Sequence, residues 1–163
     1  MKEAATFFVM CLIGLALACA YIEAQGGNPF ASAQQSDTDY RSMARQDAVN
    51  AGIPPDYFVA QINEESGFNP NAESHAGAIG IAQIMPDTAS GLGIDPWNPV
   101  QSLAGASQLM SRYYQKYGDY AKALSAYNYG YERTNSVIDE YGVNWKGHIP
   151  SETRAYIAII MGE

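Results

Sequence analysis

The chain has 163 residues and a formal charge of -8. That length suits one domain around one hydrophobic core, and the acidic balance excludes the basic groove that neutralises phosphates, so nucleic acid is set aside as a partner. Both cysteines, Cys11 and Cys19, lie in the first apolar stretch, leaving the rest of the chain without a thiol for a disulfide, a metal or nucleophilic catalysis.

Taken in chain order, residues 4–22 are uncharged, follow Lys2 and precede Glu23, the arrangement of an export signal. At about 1.5 Å per residue the run nearly matches the ~30 Å of a bilayer core, so residues 1–24 read as a signal peptide or an N-terminal membrane anchor. Ala16, Ala18 or Ala24 offers a small residue for cleavage, while Ala16-Leu17-Ala18 before Cys19 is a poor lipidation signal. Residues 25–36 have the small, polar composition of a linker, and the folded domain is expected to span 37–163. The protein is thus expected in the periplasm or cell envelope, with its first segment in contact with the membrane.

The rest reads as short helices punctuated by Gly and Pro, without strand-like alternation, and predicts a mainly α fold. A first helix is expected from Asp37 or Thr38 to Ala51, stopped by Gly52. A second starts at Pro54-Pro55-Asp56 and ends at Gly67. A loop follows over 67–83, then a short helix from Pro86-Asp87 and a longer one over Ser102 to Tyr117. The stretch Asp119 to Tyr129 repeats the pattern with Gly130 after it, and a last helix begins at Pro150-Ser151-Glu152. His75 and His148 stand without a second metal ligand at a usable spacing; they are read as surface or substrate-lining residues, and neither metal nor cofactor is expected.

In the second helix Phe58, Ile62 and Glu65 share an apolar stripe, while Tyr57, Gln61 and Glu64 fall on a more polar face. Glu65 is therefore expected to face the core or a cleft wall, where desolvation raises its pKa toward that of a general acid. A helix-end carboxylate paired with Arg154 fits the periodicity equally well. Glu64→Gln is expected to be close to neutral. Asp87, Asp95 and Glu152 are the candidates for a second carboxylate, by elimination only.

Glu65-Ser66-Gly67-Phe68-Asn69-Pro70 resembles the Glu-Ser-x-Phe-x-Pro signature of the soluble lytic transglycosylase family. Residues 72–89 are similar to its Gly-Ala-x-Gly-Leu-Met-Gln-Leu-Met-Pro-x-Thr-Ala loop, Ala126-Tyr127-Asn128-Tyr129-Gly130 to its Ala-Tyr-Asn-Ala-Gly, and residues 149–157 to its Pro-x-x-Glu-Thr-x-x-Tyr-Val. The resemblance implies a lysozyme-like single helical domain, related to goose-type lysozyme, with a substrate cleft. It also implies cleavage of the MurNAc-GlcNAc β-1,4 bond of peptidoglycan glycan strands, leaving a 1,6-anhydro-MurNAc end, with Glu65 as the one catalytic acid and base. Carried over by position, Ser66 steers substrate or acid; Gly80, Ile81 and Gln83 present backbone and amide groups to the sugars; Tyr127 and Asn128 close the cleft; Glu152 and Tyr156 orient the acid and the acetamido group. Two departures bear on binding: Ala82 stands for the usual Met, and Tyr129 for a small residue.

Two other functions are compatible with these residues: a hydrolytic muramidase on the same fold, which a second carboxylate near Glu65 would favour, and an inactive glycan-binding assembly protein. The short domain suits a wall-opening tool for a secretion, conjugation or pilus machine, a remodelling enzyme, or a phage-particle component.

Overall fold

The structure, a computed structural model, describes residues 29–163, with side-chain surroundings from residue 39 onward. The expected export segment, and both cysteines with it, lie outside the described residues. Among those described, no helix is long and apolar enough to cross a membrane.

The described residues form seven α-helices and one 3-10 helix, in order α1 (Pro29–Ala51), α2 (Pro55–Ser66), α3 (Pro86–Leu92), α4 (Pro99–Tyr117), α5 (Tyr120–Asn128), α6 (Tyr131–Tyr141), the 3-10 helix (Gly142–His148) and α7 (Ser151–Met161). The described residues hold no strand, only isolated bridges from Glu73 to Ile79 and from Ile79 to Ile84 that pin the loop between α2 and α3. Proline opens α2, α3 and α4 at the first turn, where its missing N–H costs nothing. Side-chain caps open two helices: Asn98 accepts from the amides of Val100 and Gln101 at 3.1 and 3.2 Å, and Asp119 from those of Ala121 and Lys122 at 2.8 and 3.2 Å.

The sequence reading differs at the start of the first and of the long helix, and it omits both α6 and the 3-10 helix. The first helix includes Pro29–Ala51, so Asp37 and Thr38, expected at its start, are interior to it. The long helix begins at Pro99 rather than Ser102, because Asn98 supplies its cap. Helix α6 is missing from the sequence reading. Gly130, φ 107°, turns the chain directly from α5 into α6, which buries only Thr134 fully and so carries too faint an apolar stripe to announce itself.

Within the compact unit Asp39–Glu163, α5 packs against α4, α6 and α7, and α7 also packs against α2. The reason lies in composition: beside Tyr120 and Leu124, α5 buries Ala121, Ala123, Ser125 and Ala126, small residues that let neighbours approach closely. Phe58 and Ile62 of α2, Leu103 and Met110 of α4 and Ile157 of α7 fill the core around it. The contact between α2 and α7 brings residues 65 and 156, 91 positions apart, side by side.

Candidate active site

Glu65 occupies the last turn of α2, just before Gly67 leaves the helix in the left-handed conformation with φ 62°. Phe68 follows, also left-handed at φ 63°, a strained geometry for a large side chain that its burial offsets. The guanidinium of Arg41 lies 4.3 Å from the Phe68 ring centre. The chain is thereby turned sharply away from α2, and Glu65 is left facing α7.

There the Tyr156 hydroxyl donates a hydrogen bond to Glu65 Oε1. The Glu65 carboxyl is pushed up from its ordinary 4.5 to about 7; burial is the largest cause, opposed by the Tyr156 hydrogen bond and reinforced by the charge of neighbouring Glu64. Arg154 is not its partner: that guanidinium donates to the Ile149 carbonyl at 2.5 Å. Burial, and then the Glu65 charge, push the phenols of Tyr156 and Tyr127 well above their usual range. Both hydroxyls stay protonated as donors.

A recess of about 310 Å³ opens on this group, lined by Glu64, Glu65, Asn128, Glu152, Tyr156 and the exposed face of α7 at Ala155 and Ile159. Glu152 is exposed on its rim. The other two carboxylates reached by elimination do not line it: Asp87 is exposed at the start of α3, and Asp95 accepts from the Trp97 amide at 3.0 Å. Sequence reasoning passed over Ala155 and Ile159, although each stands three residues after an expected site residue, at Glu152 and Tyr156, on one helix face. It placed Glu64 on the more polar face of the helix, and the structure puts that residue on the recess wall as well. Gln61, assigned to a polar face, is fully buried and accepts a 3.4 Å hydrogen bond from the Tyr120 hydroxyl.

The remaining expected residues, Ser66, Gly80, Ile81, Gln83 and Tyr127, do not line this recess; Gln83 and Tyr127 line a neighbouring cavity instead. Ser66 Oγ donates to the Ile81 carbonyl at 2.6 Å, so its hydroxyl ties the loop before α3 to the end of α2. Ile81 and Ala82 are fully buried; only their backbone groups are available, and the Tyr127 hydroxyl donates to the Ala82 carbonyl at 2.7 Å. Ala82 therefore lies in the core instead of forming a cleft wall. Gly80, φ 73°, has no room for a side chain, since a Cβ there would lie 2.1 Å from the Pro96 carbonyl oxygen. Its close approach is thus to the protein's own backbone. Gln83, left-handed at φ 50°, folds back so that Nε2 donates to the Gly80 carbonyl at 2.9 Å and the Ala72 carbonyl at 3.3 Å. Among the described residues no cluster of three or more potential ligands could hold a metal. His75 and His148 are exposed, the latter stacked on Tyr141 with ring centres 3.5 Å apart.

The site is thus a half-buried glutamate at a helix end, hydrogen-bonded to a tyrosine on the wall of a recess in a helical domain. The family model for the transglycosylase SLT domain matches residues 42–147, and the chain belongs to that family. It is 31% identical over 111 residues to the transglycosylase of Enterobacteria phage PRD1, covering 68% of this chain and 40% of that protein. It is 32% identical over 107 residues to membrane-bound lytic murein transglycosylase D of Escherichia coli strain K12, covering 57% of this chain and 24% of the relative. Among solved structures, the 70 kDa soluble lytic transglycosylase of Escherichia coli matches with a TM-score of 0.67 and 26% identity over 75% of this chain and 23% of that one. The chain thus spans less than half the length of each of these relatives.

Proposed function

We propose that this protein is a peptidoglycan lytic transglycosylase in which Glu65 is the single catalytic acid and base. The observation that carries the reading is the Glu65 carboxyl at the recess, held near a pKa of about 7 by burial, so that it is protonated in a large fraction of molecules at neutral pH. The family match and the names of the relatives support the substrate class.

In this reading Glu65 donates its proton to the oxygen of the MurNAc-GlcNAc bond, which leaves with the bonding pair. The MurNAc acetamido carbonyl supports the positive charge at C1. Glu65, now a carboxylate, takes the proton of the MurNAc C6 hydroxyl as that oxygen bonds to C1, closing a 1,6-anhydro ring. No water is consumed and the acid is regenerated. The Tyr156 hydroxyl orients the carboxyl and stabilises its ionised form between the two steps, Asn128 and Glu152 contact the sugars from the rim, and Ser66, Gly80, Ile81 and Gln83 hold the loop beneath. A phage particle or an envelope location suits the activity, as the phage and membrane-bound relatives do.

The presence of Glu152 on the same recess favours one alternative, a muramidase in which that carboxylate activates water. Mass spectrometry of muropeptides released from purified peptidoglycan by the full chain separates the two. Products lighter by one water than hydrolysis products are expected; fully hydrated reducing ends would replace this reading with the muramidase.

A further inference from the structure

Two arginines of α1, one helical turn apart, reach across to α2. At the start of α2, Arg45 Nη2 pairs with Asp56 Oδ1 at 2.7 Å with both side chains exposed, a contact of little energetic weight in water. At the end of α2, Arg41 is half-buried, and one guanidinium meets two groups. Its Nη2 donates to the Asn63 side-chain oxygen at 3.0 Å, and its centre lies 4.3 Å from the Phe68 ring centre. A planar cation can stack on a ring and donate from its edge at once, which an ammonium cannot.

These two groups flank the turn that carries Glu65. Asn63 stands two residues before it, and the Asn63 backbone carbonyl accepts at 2.8 Å the Gly67 N–H that closes the helix. Phe68 stands three residues after it in the left-handed conformation, φ 63°, which a large side chain holds only where its surroundings offset the strain. Glu65 itself lies in the last turn, where helix ends fray. The Tyr156 hydroxyl holds this turn from α7, and the Arg41 guanidinium holds it from α1. The causes that shift the Glu65 carboxyl are burial, Tyr156 and Glu64, so Arg41 acts on where the turn sits and not on the charge of the carboxyl.

We propose that Arg41 is a positioning residue for Glu65: by holding Asn63 on one side of the turn and Phe68 on the other, its guanidinium keeps the carboxyl against the Tyr156 hydroxyl. The inference rests on Glu65 as the acid of the glycan-cleaving function above, and it gives α1 a part in a site whose recess none of its residues lines.

The test compares the full chain with Arg41→Met and Arg45→Met in pH-rate series on purified peptidoglycan. Carbon-13 NMR titration follows the Glu65 carboxyl in the same proteins, its signal identified by its loss in Glu65→Gln. The groups that titrate around this carboxyl, Glu64 on α2, Glu152 and Tyr156 on α7 and Tyr127 on α5, are the same in all three. Arg41→Met is expected to lower kcat about tenfold with KM held. It is also expected to move the alkaline limb of kcat/KM and the NMR midpoint toward acid by about one unit, because the burial it relieves outweighs the Tyr156 bond it loosens. Arg45→Met is expected to leave both in place. Should Arg41→Met fail to fold, Arg41→Lys takes its place, with shifts in the same direction but smaller. A lower melting temperature with kcat and both midpoints unmoved would make the contact merely structural and overturn the inference, as would equal shifts on substituting either arginine. Failure of the wild type to release muropeptides would count against the glycan-cleaving function instead, and the NMR midpoints would still decide the role of Arg41.

Discussion

For the single side chain of Glu65, burial outweighs hydrogen bonding, and the two can be separated by substitution. Tyr156 donates to the carboxyl and lowers its pKa against the larger effect of desolvation; Tyr156→Phe is therefore expected to move the alkaline limb of the kcat/KM profile upward from about 7 while reducing kcat, which a pH-rate series on both proteins measures. Glu64 acts in the opposite direction, its charge raising the same pKa, so Glu64→Gln is expected to shift that limb toward acid with little loss of maximal rate. Stability carries the same signature. Because the folded chain holds the Glu65 proton more tightly than the unfolded one, whose carboxyl titrates near 4.5, its contribution is most favourable below that pH and is lost as pH rises through about 7. Glu65→Gln is expected to gain stability relative to the wild type across this window, by about 3 kcal/mol between pH values near 4 and near 8, as read from denaturant unfolding at each pH. The position of Glu65 was legible because Phe58 and Ile62 fix the phase of α2. Gln61 was not: a glutamine reads as a surface residue until the structure places the Tyr120 hydroxyl against its amide oxygen.

Among the elements, the loop between α2 and α3 is a backbone scaffold more than a set of side-chain contacts. Gly80 lies against Pro96 so closely that Gly80→Ala is expected to destabilise the fold by about 3 kcal/mol, through both the clash and the left-handed φ, and to lower the melting temperature accordingly. Ser66→Ala leaves the Ile81 carbonyl without its hydroxyl donor and is expected to cost about 1–2 kcal/mol, with a fall in kcat if the loop shifts. Here the motif pointed to the right segment for a different reason, since spacing alone cannot tell a glycine that admits a ligand from one that admits another carbonyl. Helix α5 was legible from the Asp119 cap. Helix α6 was not, because its inward face is only partly apolar and it begins at once after Gly130. The wall of the neighbouring cavity that carries Tyr131, Glu132 and Arg133 was lost with it.

Within the unit Asp39–Glu163, the packing of α7 against both α2 and α5 joins a carboxyl and a phenol 91 positions apart into one site, with Asn128 at the end of α5 lining both concavities. The helical class and the order of most elements followed from Pro and Gly punctuation together with helical periodicity, whereas the convergence of the site depended on long-range contacts that only the resemblance anticipated. The most direct test of the account compares the full chain with Glu65→Gln for turnover of purified peptidoglycan and for cosedimentation with it. The account predicts that turnover falls by about a thousandfold while binding and the circular dichroism spectrum are retained. A variant that binds, folds and still cuts at near the wild-type rate would contradict it.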